Sequence, residues 1–151
     1  MIDSFSGEYR FLSNFWVLDE PVIYEGLSYY STETAYQRAK TQDPDEAARF
    51  TCRMSPGSAK SLGRKVSLRE DWDNVKVSIM QDLVLQKFVN NEDLGRALVA
   101  TGERVLIEGN HWNDTFWGVC RGKGQNRLGR ILMAVREGLR PVYYVEGKSC
   151  L

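Results

Sequence analysis

The sequence predicts a helix-rich α+β fold with a few short strands, formed by a single domain over residues 1–151. Apolar side chains recur at three- and four-residue spacing from Trp72 to Val84, as on an amphipathic helix of about 18 residues. Aromatic and β-branched residues, which favour strands, are frequent in residues 9–30. Neither a repeat nor a Pro/Gly/Ser-rich linker divides the chain, so we expect one compact domain.

The remaining elements follow from local signals along the chain. Residues 22–29 read as a hairpin that turns at Glu25 and Gly26, and a helix is predicted over residues 32–40. A cap residue followed by proline and then by an acidic residue marks a helix start at Asp43. Further helices are predicted over 43–53, from Ser55, over 93–101 closed by Gly102, and over 128–135 capped by Gly138, with a strand over 104–108.

The composition excludes several classes of function. The 20 basic and 20 acidic side chains balance to zero net charge, which argues against bulk attraction to nucleic acid or to an anionic membrane. No apolar run approaches the length of a membrane span. Cys52, Cys120 and Cys150 form no C-x-x-C pair, which is typical of a reducing compartment, so we expect a cytoplasmic protein. A single histidine, His111, leaves little for a zinc site or a catalytic triad, and no metal or cofactor is expected.

Two segments carry polar groups suited to chemistry. On the helix predicted at 32–40, Glu33, Tyr36, Gln37 and Lys40 share one face. This face either carries a reaction or only places an acid and a base at favourable ends of the helix dipole. The loop over residues 109–127 combines glycines with basic and aromatic side chains. It is either a cradle for an anion or a solvated surface loop.

Two single residues also have alternative roles. Asp114, close to aromatic rings in the sequence, is either a desolvated base or the cap of a turn. Trp72 is either part of the core or a platform for a ligand.

Five segments together resemble the NADAR family. They appear in family order and span most of the chain, although Thr34 stands where many members have histidine. The segments are Phe11-Leu12-Ser13-Asn14-Phe15; Ser31-Thr32-Glu33 with Tyr36, Gln37 and Lys40; Ala59 with Leu62-Gly63-Arg64; Trp72 with Val75-Lys76; and Asn113-Asp114 with Phe116-Trp117-Gly118, then Gly122, Gly124, Asn126 and Leu128-Gly129.

The resemblance implies an N-glycosidase that acts on a ribosylated base. The implied substrates are ribosylated, phosphate-bearing intermediates of riboflavin synthesis, or guanine in nucleic acid that carries ADP-ribose. Cleavage of such a bond passes through an oxocarbenium-like state that needs carboxylates rather than histidine or metal. The resemblance assigns this duty to Glu33 and Asp114, which we expect to meet in one cleft, without deciding which activates water.

The resemblance also implies roles for other residues. Lys40 either holds a phosphate or attacks C1′ as an amine. The substrate-binding set is Asn14 and Asn126 as polar orienters, Trp72 and Trp117 for stacking on the base, Arg121, Lys123 and Arg127 for the phosphate with Arg64 as the next candidate, and Phe15, Tyr36 and Gln37.

Two functions other than hydrolysis are alternative interpretations of the sequence. A non-catalytic module that binds ADP-ribose or NAD would use the same contacts, although a binder of an anionic ligand gains little from nearby carboxylates. A nucleic-acid-binding protein is suggested by the six basic residues and one acidic residue in 121–140, but no known reader motif is present. The sequence does not indicate the oligomeric state.

Overall fold

The computed structural model describes residues 1–145 and 148–149 and has a helix-rich α+β fold, as predicted. A 3-10 helix spans Gly7–Leu12. The helices are α1 (Thr32–Arg38), α2 (Pro44–Ala48), α3 (Pro56–Gly63), α4 (Trp72–Asn90), α5 (Glu92–Ala100) and α6 (Arg127–Tyr143). The strands are β1 (Val22–Tyr24), β2 (Leu27–Tyr29), β3 (Gly109–Asn110), β4 (Val119–Cys120), β5 (Tyr144–Val145) and β6 (Lys148–Ser149).

The chain divides into two compact units. The first consists of Asn14–Asn91 and contains α1 to α4 with the β1–β2 hairpin. The second consists of Met1–Ser13 with the chain from Glu92 onward and contains α5 and α6. No helix within the described ranges is both long and apolar enough to cross a membrane.

The predicted hairpin in the first unit is confirmed. β1 and β2 pair antiparallel, with Val22 opposite Tyr29 and Tyr24 opposite Leu27. The two turn residues, Glu25 and Gly26, have φ of 48° and 79°. A two-residue turn with positive φ at both positions matches the twist of the strands, which explains the glycine at position 26.

The helix predicted over 43–53 begins where expected but ends early. Asp43 Oδ1 accepts hydrogen bonds from the amides of Asp45 and Glu46, as an N-cap does. The helix stops at Ala48, because the amides of Arg49 and Phe50 bond to carbonyls three residues back and the Phe50 ring turns into the core. Tertiary burial of one ring therefore overrides the helical pattern.

The long helix predicted from Trp72 is confirmed as α4, with 19 residues. α5 begins and ends one residue earlier than predicted, and Gly102 follows with φ of 68°. The predicted end of α6 is wrong, since the helix continues through Gly138 and Pro141 to Tyr143. Leu139 and Tyr143 extend its buried face, and their burial outweighs the poor helix propensity of glycine and proline.

The strand predicted over 104–108 is also wrong. Leu106 makes a single parallel bridge with Ile2, whose amide and carbonyl bond to Val105 and Ile107. On the other side, the amide side chain of Asn126 accepts from Glu108 N and donates to Leu106 O. Side-chain hydrogen bonds thus replace a neighbouring strand.

Lys87 on α4 should make the stability of the protein depend on pH. Its side chain is buried (1% exposed), and burial lowers its pKa from 10.5 to about 7. Between these two pH values the folded protein holds fewer protons at Lys87 than the unfolded chain, so stability rises with pH there. We expect Lys87→Met to remove this rise, measured as the free energy of urea unfolding between about pH 7 and pH 9. The exposed Lys65→Met variant should keep it, and an unchanged pH slope in Lys87→Met would contradict the expectation.

Candidate active site

Helix α1 holds Glu33 in a buried position at its first turn. Every residue of α1 is buried, and Glu33 is 8% exposed. The Ser31 hydroxyl accepts from Thr34 N at 3.1 Å, and Glu33 N donates to Asn14 O at 3.1 Å. The amide of Asn14 also donates to Met80 Sδ at 3.5 Å. Asn14 therefore supports the start of α1, where the helix dipole favours a carboxylate.

Glu33 and Gln37 share one face of α1, as predicted. Gln37 Nε2 donates to Glu33 Oε1 at 2.7 Å, and Gln37 is 4% exposed. A hydrogen bond to an ionised carboxylate is stronger than one between neutral groups. The Glu33 side chain is therefore held by its own helix.

Lys40 lies in the turn after α1 and not in the last helical turn. Its amide donates to Gln37 O at 3.2 Å, and its carbonyl accepts from Arg69 N at 2.8 Å. The Nζ atom lies 5.7 Å from the centroid of the Tyr36 ring. The backbone N–H and C=O of Lys40 are thus both hydrogen-bonded, which fixes the position from which its side chain extends.

The surroundings of Lys40 lower the pKa of its amine below the ordinary value of 10.5. Partial burial is the largest cause, and the positive charges of Arg64, Lys60 and Lys76 act in the same direction. The negative charge of Glu33 opposes them. A larger fraction of this amine is therefore neutral at a given pH than for an exposed lysine.

Lys60, Arg64 and Lys76, here called the cation group, extend from α3 to α4. Lys60 Nζ lies 5.8 Å from the Phe15 ring centroid, and Lys76 pairs with Asp73 at 3.0 Å. Only Arg64 of this group was assigned from sequence. Lys60 lies in α3 and Arg64 directly follows its last residue, and their four-residue spacing is the signal that indicates a shared face.

The aromatic residues of this unit differ in exposure. Tyr36 and Trp72 pack with ring centroids 5.1 Å apart, and each is only 6% exposed. Phe15 is 43% exposed. Trp72 thus packs as a core residue, and Phe15 offers more ring surface to a ligand.

In the second unit, Asp114 caps a turn. Its Oδ1 accepts from Phe116 N at 3.1 Å and Trp117 N at 2.9 Å. The Asn110 side chain secures the same turn through Asp114 N and O. Oδ2 accepts no hydrogen bond within the described ranges, so one oxygen of the carboxylate keeps its acceptor capacity.

The glycine-rich loop of this unit is a folded turn. Cys120 and Lys123 exchange two backbone hydrogen bonds, and the residues between them, Arg121 and Gly122, have φ of 53° and 76°. A Cβ at Gly124 would lie 2.1 Å from Gly118 O. The missing side chain at Gly124 therefore allows the chain's own backbone to pack closely there, whereas the sequence led us to expect the close approach of a ligand.

The polar side chains around this turn are engaged differently. Arg121 and Lys123 are exposed, whereas Arg127 Nε donates to Gln125 Oε1 at 2.9 Å and its guanidinium lies 5.2 Å from the Phe116 centroid. Trp117 packs edge-on against Phe116, with centroids 4.8 Å apart. Asn126 uses its side chain on the backbone of residues 106–108.

The predicted site residues thus fall into two sets. The first unit holds Asn14, Phe15, Glu33, Tyr36, Gln37, Lys40, Arg64 and Trp72, and the second holds Asp114, Trp117, Arg121, Lys123, Asn126 and Arg127. The expected meeting of Glu33 and Asp114 in one cleft stays a prediction. Across residues 1–145 and 148–149, no group of three or more His, Cys, Asp or Glu side chains is placed to hold a metal ion.

Comparison with known proteins identifies relatives over most of the chain. The model of the NADAR domain matches residues 3–140. An N-glycosidase of Nostoc punctiforme, Npun_R5314, is 39% identical over 127 residues, which are 80% of this chain and 81% of that protein. N-glycosidase YbiA of Escherichia coli is 35% identical over 141 residues, covering 90% of this chain and 85% of that one.

A solved structure and a longer relative agree with this. The NMR structure of E. coli YbiA superposes with a TM-score of 0.77 and 32% identity, covering 97% of this chain and 92% of that chain. The riboflavin biosynthesis protein VVA0006 of Vibrio vulnificus is 36% identical over 133 residues, which are 86% of this chain but 35% of that protein.

Proposed function

The chain belongs to the NADAR family, and we propose that its N-glycosidase activity is carried out by Glu33 and Lys40. The observation that carries this proposal is a buried carboxylate in the first turn of α1 and a lysine of lowered pKa just beyond its last turn, which influence each other electrostatically. Such perturbed groups cluster at functional sites. The names of the relatives favour an enzyme over a module that only binds ADP-ribose or NAD.

Glu33 suits the charge that develops when the glycosidic bond breaks. The bonding electrons leave with the nitrogen of the base, and positive charge builds on C1′ and the ring oxygen of the ribose. A fixed carboxylate beside this charge stabilises it without having to reorient during the reaction. We assign Glu33 this role because its helix and Gln37 hold it in place.

Lys40 is suited to act either as a base or as a nucleophile. Burial and the cation group favour its neutral amine, which either accepts a proton from the attacking water or attacks C1′ directly. In the second route water later releases the sugar and regenerates the amine. Binding of a phosphate would instead require the charged form.

We assign the phosphate of the substrate to the cation group. Its three positive charges act on Lys40 and therefore lie within electrostatic reach of the proposed reaction. Phe15, the exposed ring below Lys60, is proposed to contact the base. The loop cations Arg121, Lys123 and Arg127 are the competing assignment.

We propose a ribosylaminopyrimidine phosphate as the substrate, in line with the riboflavin biosynthesis name of the Vibrio relative. Guanine that carries ADP-ribose in nucleic acid also has a 5-phosphorylated ribose, here extended to a diphosphate, joined to a base that can leave, and it is the second candidate. Incubation with each compound, followed by detection of free base and reducing sugar, tests the proposal. If the protein releases base from neither compound but binds ADP-ribose in calorimetry, it is a non-catalytic module instead.

Arg64→Ala should raise KM for a phosphorylated substrate more than for its dephosphorylated counterpart. Loss of a hydrogen bond to a charged group costs about 1.5–3 kcal/mol, which corresponds to roughly 10–150-fold in KM. Steady-state kinetics with both substrates measures the difference. Lys123→Ala is the comparison variant, since Lys123 lies in the second unit. A selective loss in Lys123→Ala but not in Arg64→Ala would move the phosphate to the glycine-rich loop.

Asp114 carries the second carboxylate implied by the family. Two variants distinguish a role of its negative charge in the reaction from its role in capping the turn. Asparagine keeps the Oδ1 acceptor that caps Phe116 and Trp117, whereas alanine removes it. If the charge acts in the reaction, Asp114→Asn should lower kcat as strongly as Asp114→Ala while keeping the wild-type melting temperature. Full activity in Asp114→Asn would restrict Asp114 to shaping the turn.

A further inference from the structure

A glycine of α3 lies directly against the side chain that hydrogen-bonds Glu33. A Cβ added at Gly63 would lie 1.9 Å from Gln37 Oε1 and 2.8 Å from Gln37 Cδ. Both distances are far below van der Waals contact. Any larger residue at position 63 would therefore displace the Gln37 amide.

The amide of Gln37 has one orientation in which it can serve Glu33. Nε2 donates to Glu33 Oε1 at 2.7 Å, and Oε1 faces Gly63. The reversed amide would place an oxygen against the carboxylate, where two acceptors repel each other. Contact with Gly63 on one side and the carboxylate on the other thus determines the position of this side chain.

The amide oxygen of Gln37 is unfavourable for folding, so the packing of this side chain alone does not account for a glutamine here. Gln37 is 4% exposed, and its Oε1 is buried without a hydrogen-bond partner in the described part of the chain. A buried unsatisfied oxygen is unfavourable, and an apolar side chain of similar shape would avoid it. What the glutamine adds is a hydrogen bond to the carboxylate proposed to act on the substrate.

We propose that Gln37, held in place by Gly63, is a positioning residue for the Glu33 carboxylate. Helix α3 thereby sets the orientation of a catalytic group on α1, without contacting the substrate through either residue. This inference rests on the proposed function of Glu33. It also revises the expectation from sequence that Gln37 binds the substrate directly.

Three variants test the proposal in the full chain. Gln37→Met keeps the length of the side chain but removes the donor, and Gly63→Ala displaces the amide. Gly57→Ala is the matched control, because it lies in the same helix and a Cβ there meets nothing within 4 Å. Steady-state kinetics across pH and thermal melting are measured for each.

We expect Gln37→Met and Gly63→Ala to lower kcat by about 10–100-fold, as small misplacement of a reacting group does, with KM changed little. The acid limb of the kcat–pH profile has two steps in this mechanism, because Glu33 must ionise and Lys40 must lose its proton. The lower step, which belongs to Glu33, should move to higher pH, since Glu33 loses a donor to its charged form. Gly57→Ala should match the wild type in both measurements. A loss of stability alone would not move the pH profile.

Wild-type kcat and an unmoved acid limb in Gln37→Met would overturn the proposal, even if Gly63→Ala fails to fold. The Glu33→Gln variant separates this outcome from failure of the proposed function. If Glu33→Gln is inactive while Gln37→Met is fully active, Glu33 acts without the positioning pair. If Glu33→Gln itself is fully active, the proposed function fails.

Discussion

Replacement of Glu33 by glutamine is expected to lower kcat by about 10²–10⁴-fold, the range for loss of a charge-stabilising or acid–base group. The effect should be confined to chemistry, because the new amide can still accept the hydrogen bond from Gln37 Nε2. Steady-state kinetics on the ribosylated substrate measures it. The melting temperature shows whether the fold is kept.

Glu70→Gln is the control for this substitution. Glu70 is an exposed residue of the same unit, so the same chemical change there should leave kcat unchanged. Turnover at the wild-type rate in Glu33→Gln would remove Glu33 from the mechanism. A fall in melting temperature that parallels the loss of activity would point to a structural carboxylate instead.

Lys40→Arg is expected to lower kcat by at least about 10²-fold although it keeps the positive charge. Arginine does not lose its proton in proteins, so it cannot supply the neutral amine that the proposed reaction uses. Lys65→Arg, at an exposed position after α3, should be fully active. Retained kcat in Lys40→Arg, with only a changed KM, would mean that Lys40 binds the phosphate as a cation.

The pH dependence of the wild type gives a second measurement on Lys40. Because burial and the cation group lower its pKa, kcat should rise with pH through a value below the ordinary 10.5 of a lysine. In the route by attack on C1′, the ribose ring of the adduct opens to give an imine with Lys40, and borohydride reduces this imine. Borohydride reduction during turnover therefore distinguishes the two routes of the amine. A reduced sugar adduct on Lys40, found by peptide mass, would identify attack on C1′, and its absence would favour proton transfer.

Elements with strong local signals were predictable from the sequence. The hairpin turn at Glu25-Gly26, the N-cap at Asp43 and the periodic face of α4 each depend on residues within one or two turns of chain. Where a distant partner decides, prediction failed. α6 extends past Gly138 because its apolar face is buried, and residues 104–108 pair with Ile2 and the Asn126 side chain.

The candidate site shows the same division. Helical spacing predicted that Glu33 and Gln37 share a face, and a short hydrogen bond confirms it. The same reasoning placed Lys40 in the last helical turn, whereas it lies beyond the helix. Lys60 and Lys76 were missed as neighbours of Lys40 because they come from α3 and α4, whose packing against α1 has no local sequence signal.

By itself, the sequence determined the helix-rich α+β fold, the family, and the residue types available for chemistry. Hydrophobic periodicity and capping signals are properties of short segments, and the order of the motifs can be read along the chain without knowledge of its packing. The tertiary structure alone decided which groups act on one another. Burial lowers the pKa of Lys40, and the close approach of Gly63 leaves Gln37 one position from which to hold Glu33. Both effects depend on desolvation and contact between segments distant in the chain, which only packing creates.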